Sequence, residues 1–209
     1  MARVETHTAT RKEHHCQRCS EPITKGQTYY NWSPGFRVRP QYQHAAHGYP
    51  RASQTTGNDK LSTLYGAYES IEDAVGSVEK EDPESLRELA SVVSGAKEEV
   101  EGVAEEYRES ASNIEDGFGH STFASEEAEE NGSQCDDAAQ EMESVAETLE
   151  SAAQALEEAL DDLAALGLDS EALPENPEGD IQAAIKAYGS ALDEANGAIS
   201  EAEGLSCPL

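Results

Sequence analysis

The chain is short of the residues that usually build a globular core. Only 6% of its 209 residues are aromatic, with three Phe and one Trp, and it has two Met. Basic side chains are also scarce, 14 Lys/Arg against 43 Asp/Glu, for a formal charge of −29. Nothing approaches the ~20 consecutive apolar residues of a membrane span, so no transmembrane segment is expected. The opening Met1-Ala-Arg-Val-Glu-Thr-His-Thr8 is polar with no apolar stretch behind it, so no secretory signal is expected either. These absences predict a soluble protein, cytoplasmic in a host cell or carried in a virion. Four cysteines are too few and too unevenly placed for a disulfide framework, since Cys135 and Cys207 stand far from each other and from the first pair.

The charge that is present is segregated. Residues 1–60 hold nine Lys/Arg and four Asp/Glu; residues 61–209 hold five and thirty-nine. So large an acidic excess, with few lysines and abundant Ala and Gly, suits molar salt, where a Debye length of about 3 Å screens repulsion that would loosen the fold in dilute buffer. The change of composition predicts two domains, 1–58 and 59–209, joined by a polar linker over residues 51–59.

The basic part carries the one constellation with definite chemistry. Cys16-Gln-Arg-Cys19 and His44-Ala-Ala-His47 are two pairs of ligands, each separated by two residues, and they converge if the chain between them doubles back. Gln27-Thr-Tyr-Tyr-Asn-Trp32 reads as a strand, Ser33-Pro-Gly35 as a turn and Phe36-Arg-Val-Arg-Pro40 as the returning strand. Cys16, Cys19, His44 and His47 would fill the tetrahedral coordination of Zn2+ and leave no open position, which is the pattern of a structural site. His14, His15 and Cys207 are spare ligands that the sequence leaves open.

From Leu61 the apolar residues recur at alternating spacings of three and four, the signature of helices packed on a seam. One helix carries Leu61, Leu64, Tyr68, Ile71, Val75 and Val78. Asp82-Pro83 supplies an N-cap and a first-turn proline for a second, with Leu86, Leu89, Val93, Ala96, Val100, Val103, Tyr107, Ser110 and Ile114 on its seam. Two glycines and then Asn131-Gly132 break the pattern, predicting a tip loop over 115–132. A third helix runs from Cys135 through Met142, Leu149 and Leu156 to Leu166, stopped by Gly167. A fourth begins at Asp180. The expected fold class is mainly α: a small zinc-bound β-hairpin module, then an antiparallel four-helix bundle whose longer middle helices project as a coiled-coil hairpin. Phe118 and Phe123 fall at its tip, where they either plug the end of the helices or face a partner.

The knuckle, the hairpin containing Lys25-Gly-Gln-Thr-Tyr-Tyr30 and the late second ligand pair resemble treble-clef zinc fingers. Together with acidic heptad helices, including Tyr107-Arg-Glu-Ser-Ala-Ser-Asn-Ile-Glu115 before a glycine-rich tip, the chain is similar to small, largely uncharacterised proteins of tailed viruses, those of haloarchaea or their hosts. That resemblance implies a setting and no mechanism. With the closed ligand set it leads us to expect a non-enzymatic structural or interaction protein, virion-associated or an assembly adaptor, with a protein partner and a possible homo-oligomer. The alternative is a nucleic-acid binder acting through Arg37, Arg39, Tyr30 and Trp32. Against it stand the acidic helices and the steep loss of phosphate affinity in salt. Tyr and Trp forming the module's own core is the other expectation for the aromatics.

Overall fold

The computed structural model describes residues 2–8, 14–35, 38–170, 172–174 and 177–209. It divides into two compact units, Met1–Gly66 and Ala67–Leu209, each taken by itself below. The boundary lies inside the first long helix, several residues beyond the change in composition.

The first unit holds two small antiparallel sheets. Strands β1 (Glu5–His7), β4 (Tyr29–Trp32) and β5 (Gln41–His44) form one, in the order β1-β4-β5; β2 (His14–His15) and β3 (Pro22–Ile23) form the other. A 3-10 turn (Ala45–His47) follows β5, and a single-turn helix α1 (Ala52–Thr55) closes the unit before α2 (Asp59–Val75) leaves it. The predicted first strand is therefore present as β4. The returning strand is displaced: it is Gln41–His44, with Trp32 opposite Gln41 and Tyr29 opposite His44. Of the predicted 36–40, Phe36 and Arg37 lie outside the described residues, and Val38, Arg39 and Pro40 are not in the ladder. Proline has no N–H to donate, so pairing begins after Pro40.

Register gives the three-stranded sheet two unlike faces, because side chains alternate along a strand and cross-strand partners share a side. Tyr29 and its partners His7 and His44 fall on one face with Tyr42. Ring contacts follow that grouping: His7 stacks on Tyr29 at 5.3 Å, and Tyr42 lies 6.1 Å from Tyr29. The other face carries Tyr30, Trp32 and Gln43. Trp32 is 2% exposed and donates its indole N–H to the Gln54 carbonyl at 2.8 Å. Residues 51–59 are thus a correction to the sequence reading. Within them α1 is tied to the unit: Gln54 O accepts from Trp32, and buried Thr55 accepts from Ala2 N through its carbonyl, so this part is not a free linker.

The second unit is helical. The helix α3 spans Pro83–Phe118, α4 Phe123–Ala165 and α5 Asp180–Gly204. Asp82 caps α3 by accepting from the Glu84 and Ser85 amides, with Pro83 in the first turn as predicted. Gly167 (φ 69°) ends the α4 segment, its N–H bonded to the Ala164 carbonyl and that of Leu168 to the Leu163 carbonyl. The most extensive packing is α3 on α4, followed by α4 on α5. Three cations on α3 fix the first pairing: Arg87 to Glu157, Lys97 to Glu143 (2.9 Å) and Arg108 to Asp136. As the α3 number rises the α4 number falls, so the two run antiparallel. Ser144 and Ser151 of α4 and Glu194 and Glu201 of α5 line one groove between the two helices.

The seams are broadly where periodicity puts them. Leu86, Leu89, Val93, Val100 and Val103 of α3 are buried against Met142, Leu149, Leu156 and Leu163 of α4 in the core. Alanines take more of the interface than the seam predicts: Ala90, Ala104, Ala139, Ala153, Ala191 and Ala198 are buried, whereas Leu166 is exposed. The helix α2 ends at Val75, short of Val78. The tip is the main correction. Four residues, 119–122, join α3 to α4, and Asn131-Gly132 lies inside α4. Capping explains the tight turn. Gly119 adopts φ 72°, Thr122 Oγ1 accepts from Ser125 N at 3.1 Å, and Ser125 Oγ accepts from Thr122 N at 2.9 Å.

Candidate metal centre

The cysteine pair is carried in the turn between β2 and β3. Cys16 N donates to Glu21 O (2.9 Å), Ser20 N donates to Cys16 O (2.9 Å), and Gln17 N reaches across to Tyr42 O in β5 (2.8 Å). Ser20 closes the knuckle at φ 59°, a left-handed conformation that glycine adopts without strain. The histidine pair comes from the end of β5 and the 3-10 turn: His44 is the last residue of the strand and His47 the last of the turn.

These two turns bring the four predicted ligands together. One ligand atom from each of Cys16, Cys19, His44 and His47 lies within 4.8 Å of every other, and Cys19 Sγ stands 3.6 Å from His44 Nδ1. Around zinc, bonds of about 2.3 Å to sulfur and 2.0 Å to nitrogen give tetrahedral edges of about 3.3–3.8 Å. The Cys19–His44 separation already matches such an edge. The other ring nitrogen of His44, Nε2, is buried without a hydrogen-bond partner, as is Gln43 Oε1. Two thiols and two imidazoles are the donor set zinc favours, so these residues fit a bound Zn2+.

Electrostatics agree with the geometry. Burial pushes the Cys16 thiol up, but backbone N–H groups of His44, Cys19 and Arg18 and the Cys19 side chain outweigh it and lower it from 9.0 to about 7. A thiolate is the ligating form, and here it is accessible at neutral pH. A folded value below the unfolded one means that ionised Cys16 favours the folded module. Its contribution is complete above about pH 9, falls between 9 and 7, and is gone below 7. Metal removal is therefore expected to cost less of the native Trp32 emission at pH 9 than at pH 7; the reverse order contradicts the assignment.

The spare ligands are not among the four residues that converge. His14 stacks on Tyr42 at 3.9 Å, and His15 Nδ1 lies 3.3 Å from the Ser20 carbonyl. Cys207 is in the helical unit, where burial first, and then Cys207, Glu141 and Cys135, push Tyr68 up to about 12. Of the residues considered for partner binding, Trp32 is in the core and turns no face to solvent. Tyr30 is half-buried, edge-on to Tyr49 at 5.3 Å, and Arg39 is exposed; Arg37 is outside the described residues. Phe118 and Phe123 do not plug the helix ends: they are 68% and 81% exposed.

Two contacts were not legible in the sequence. Arg18 Nη1 donates to the His47 carbonyl at 2.9 Å, and buried Gln43 Nε2 donates to the Gly48 carbonyl at 3.0 Å. Arg18 lies inside the Cys-x2-Cys spacing and Gln43 beside His44, which is the only local hint of either role. No helix among the described residues is long and apolar enough to cross a membrane. The chain matches no protein-family model, no curated protein and no solved structure.

Proposed function

We propose that the chain is a non-enzymatic zinc protein in which a metal-clipped module, treble-clef-like, is joined to an acidic helical bundle that engages a protein partner. The observation that carries the reading is the convergence of the four ligand atoms within 4.8 Å. Four protein ligands saturate tetrahedral zinc, so the ion would tie the knuckle to the end of β5 and hold no water or substrate. The donor set supports zinc over calcium or magnesium, which take oxygen ligands.

The interaction role is supported by the α3/α4 turn. Its two exposed phenylalanines are held by a turn capped on both sides, so little conformational freedom is lost when they are covered. At 36 and 43 residues, α3 and α4 extend about 54 and 64 Å and outreach α5, with 25. This supports a bundle in which α3 and α4 project beyond α5 as a coiled-coil hairpin. The composition supports a high-salt setting, and a virion-associated adaptor is the role we favour within it.

Metal analysis tests the core of this reading. Protein dialysed without chelator is expected to carry about one zinc per chain, and a Cys16→Ser, His47→Ala variant close to none. A well-folded wild-type protein that takes up no zinc would sink it.

A further inference from the structure

We propose that Arg18 is a positioning residue of the metal centre, one that sets the fourth ligand by holding the backbone of His47. The inference rests on the reading that Cys16, Cys19, His44 and His47 bind a metal, and it adds a residue that donates no ligand atom.

The turn that carries His47 is anchored at its start, where Ala45 N donates to the Thr28 carbonyl at 3.0 Å, and is held less firmly at its His47 end. It is a three-residue 3-10 turn with no side-chain cap at His44, closed by one backbone bond from Gly48 N to Ala45 O at 3.1 Å. Such turns have poorer hydrogen-bond geometry than an α-helix and are used in short pieces. Two side chains supply what it lacks. Arg18, from the knuckle 29 residues earlier, takes the His47 carbonyl at 2.9 Å. Gln43, 1% exposed, takes the next carbonyl, that of Gly48, at 3.0 Å. Gly48 sits at φ 83°, where a side chain is disfavoured, so adjacent carbonyls are held from the cysteine half of the site and from β5. Gln43 would anchor the turn to its own strand. Arg18 ties the His47 carbonyl itself to the knuckle, adding to the Gln17 N–Tyr42 O bond and the His44 N–H on Cys16 that join the knuckle to the end of β5, so formation of the knuckle orients His47.

Outer partners that orient metal ligands typically change metal affinity by about 10–100-fold when removed. Co2+ is the probe, titrated into the full metal-free chain and followed by its visible absorption. Arg18→Ala is expected to weaken Co2+ binding by about tenfold or more. Its absorption bands should shift toward those of His47→Ala, while the zinc-saturated variant keeps the native Trp32 emission. Arg18→Lys, which keeps a donor but loses the planar fork, should recover part of the loss. Lys25→Ala, which removes a charge from the next turn, should bind as wild type does. Unchanged affinity and bands in Arg18→Ala overturn the proposal, as does an equal loss in Lys25→Ala. A wild-type chain that binds no Co2+ overturns both the proposal and the metal reading beneath it.

Discussion

A strong chelator added to the full chain at neutral pH is expected to abolish the native emission of Trp32 and leave most of the helical circular dichroism in place. The reason is the size of the core that remains when the metal is gone. On the metal face of the sheet, the buried cluster is Cys16, Ile23 and Tyr29, with Tyr42 packed against it. On the opposite face, Trp32 is the one large apolar side chain among the most deeply buried, with Gln43 beside it. The longest strands in this unit have four residues. A single core in a unit of this size rarely supplies more than about 3–5 kcal/mol, whereas structural zinc contributes about 10–16 kcal/mol at neutral pH in small finger modules. Trp32 is the only tryptophan of the chain, so its emission reports this unit. The helical unit has its own core, from Leu86 in α3 to Ile199 in α5, and its melting should be insensitive to metal. Cys16→Ser should reproduce the effect without chelator. Native Trp32 emission persisting after the metal has been shown to be gone would mean that the module does not depend on it.

The contrast between these units explains what could be read from the sequence and what could not. The ligand pairs were legible because coordination requires particular atoms at short spacing, and two Cys-x2-Cys-like pairs in fifty residues leave few alternatives. The caps Asp82-Pro83 and Gly167 were legible because they act within one turn of chain. The returning strand was misplaced because its aromatic and basic alternation resembles a strand, while the ladder is decided by which residues meet Tyr29 and Trp32. Residues 51–59 read as linker because they are polar, yet backbone carbonyls of Gln54 and Thr55 are what Trp32 and Ala2 need. No role for Arg18 at the metal centre was legible in the sequence, since its partner is a carbonyl 29 residues away. Each miss involves a group whose partner lies far along the chain.

Gly132 is the strongest case, and it yields the second large effect: Gly132→Leu is expected to destabilise the helical unit by about 2–3 kcal/mol. By local preference Asn131-Gly132 is a turn, and glycine inside a helix costs about 0.5–1 kcal/mol relative to alanine. The helix nevertheless continues through it, and α3 packs close against this position. A Cβ at position 132 would stand 3.2 Å from the Ala104 carbonyl oxygen, 3.3 Å from Arg108 Cγ and 3.6 Å from Tyr107 Cβ. The first neighbour is backbone and cannot rotate away, so a leucine must push α3 outward. That movement also draws Arg108 from Asp136, its ion-pair partner one turn further along α4. The exposed glycines of α3 are the internal control. Nothing lies within 4 Å of a Cβ added at Gly95 or Gly102, so alanine there should stabilise by about 0.5–1 kcal/mol through helix propensity alone. Urea denaturation followed by far-ultraviolet circular dichroism separates the cases, since Gly132→Leu should lower the midpoint and Gly95→Ala raise it. Shifts of the same sign would mean that Gly132 is tolerated in α4, not required there. Opposite signs would identify it as a register lock: only one alignment sets Gly132 against Ala104, and the same alignment sets Lys97 against Glu143 and Arg108 against Asp136. On a surface so uniformly acidic, few other contacts distinguish that register from its neighbours.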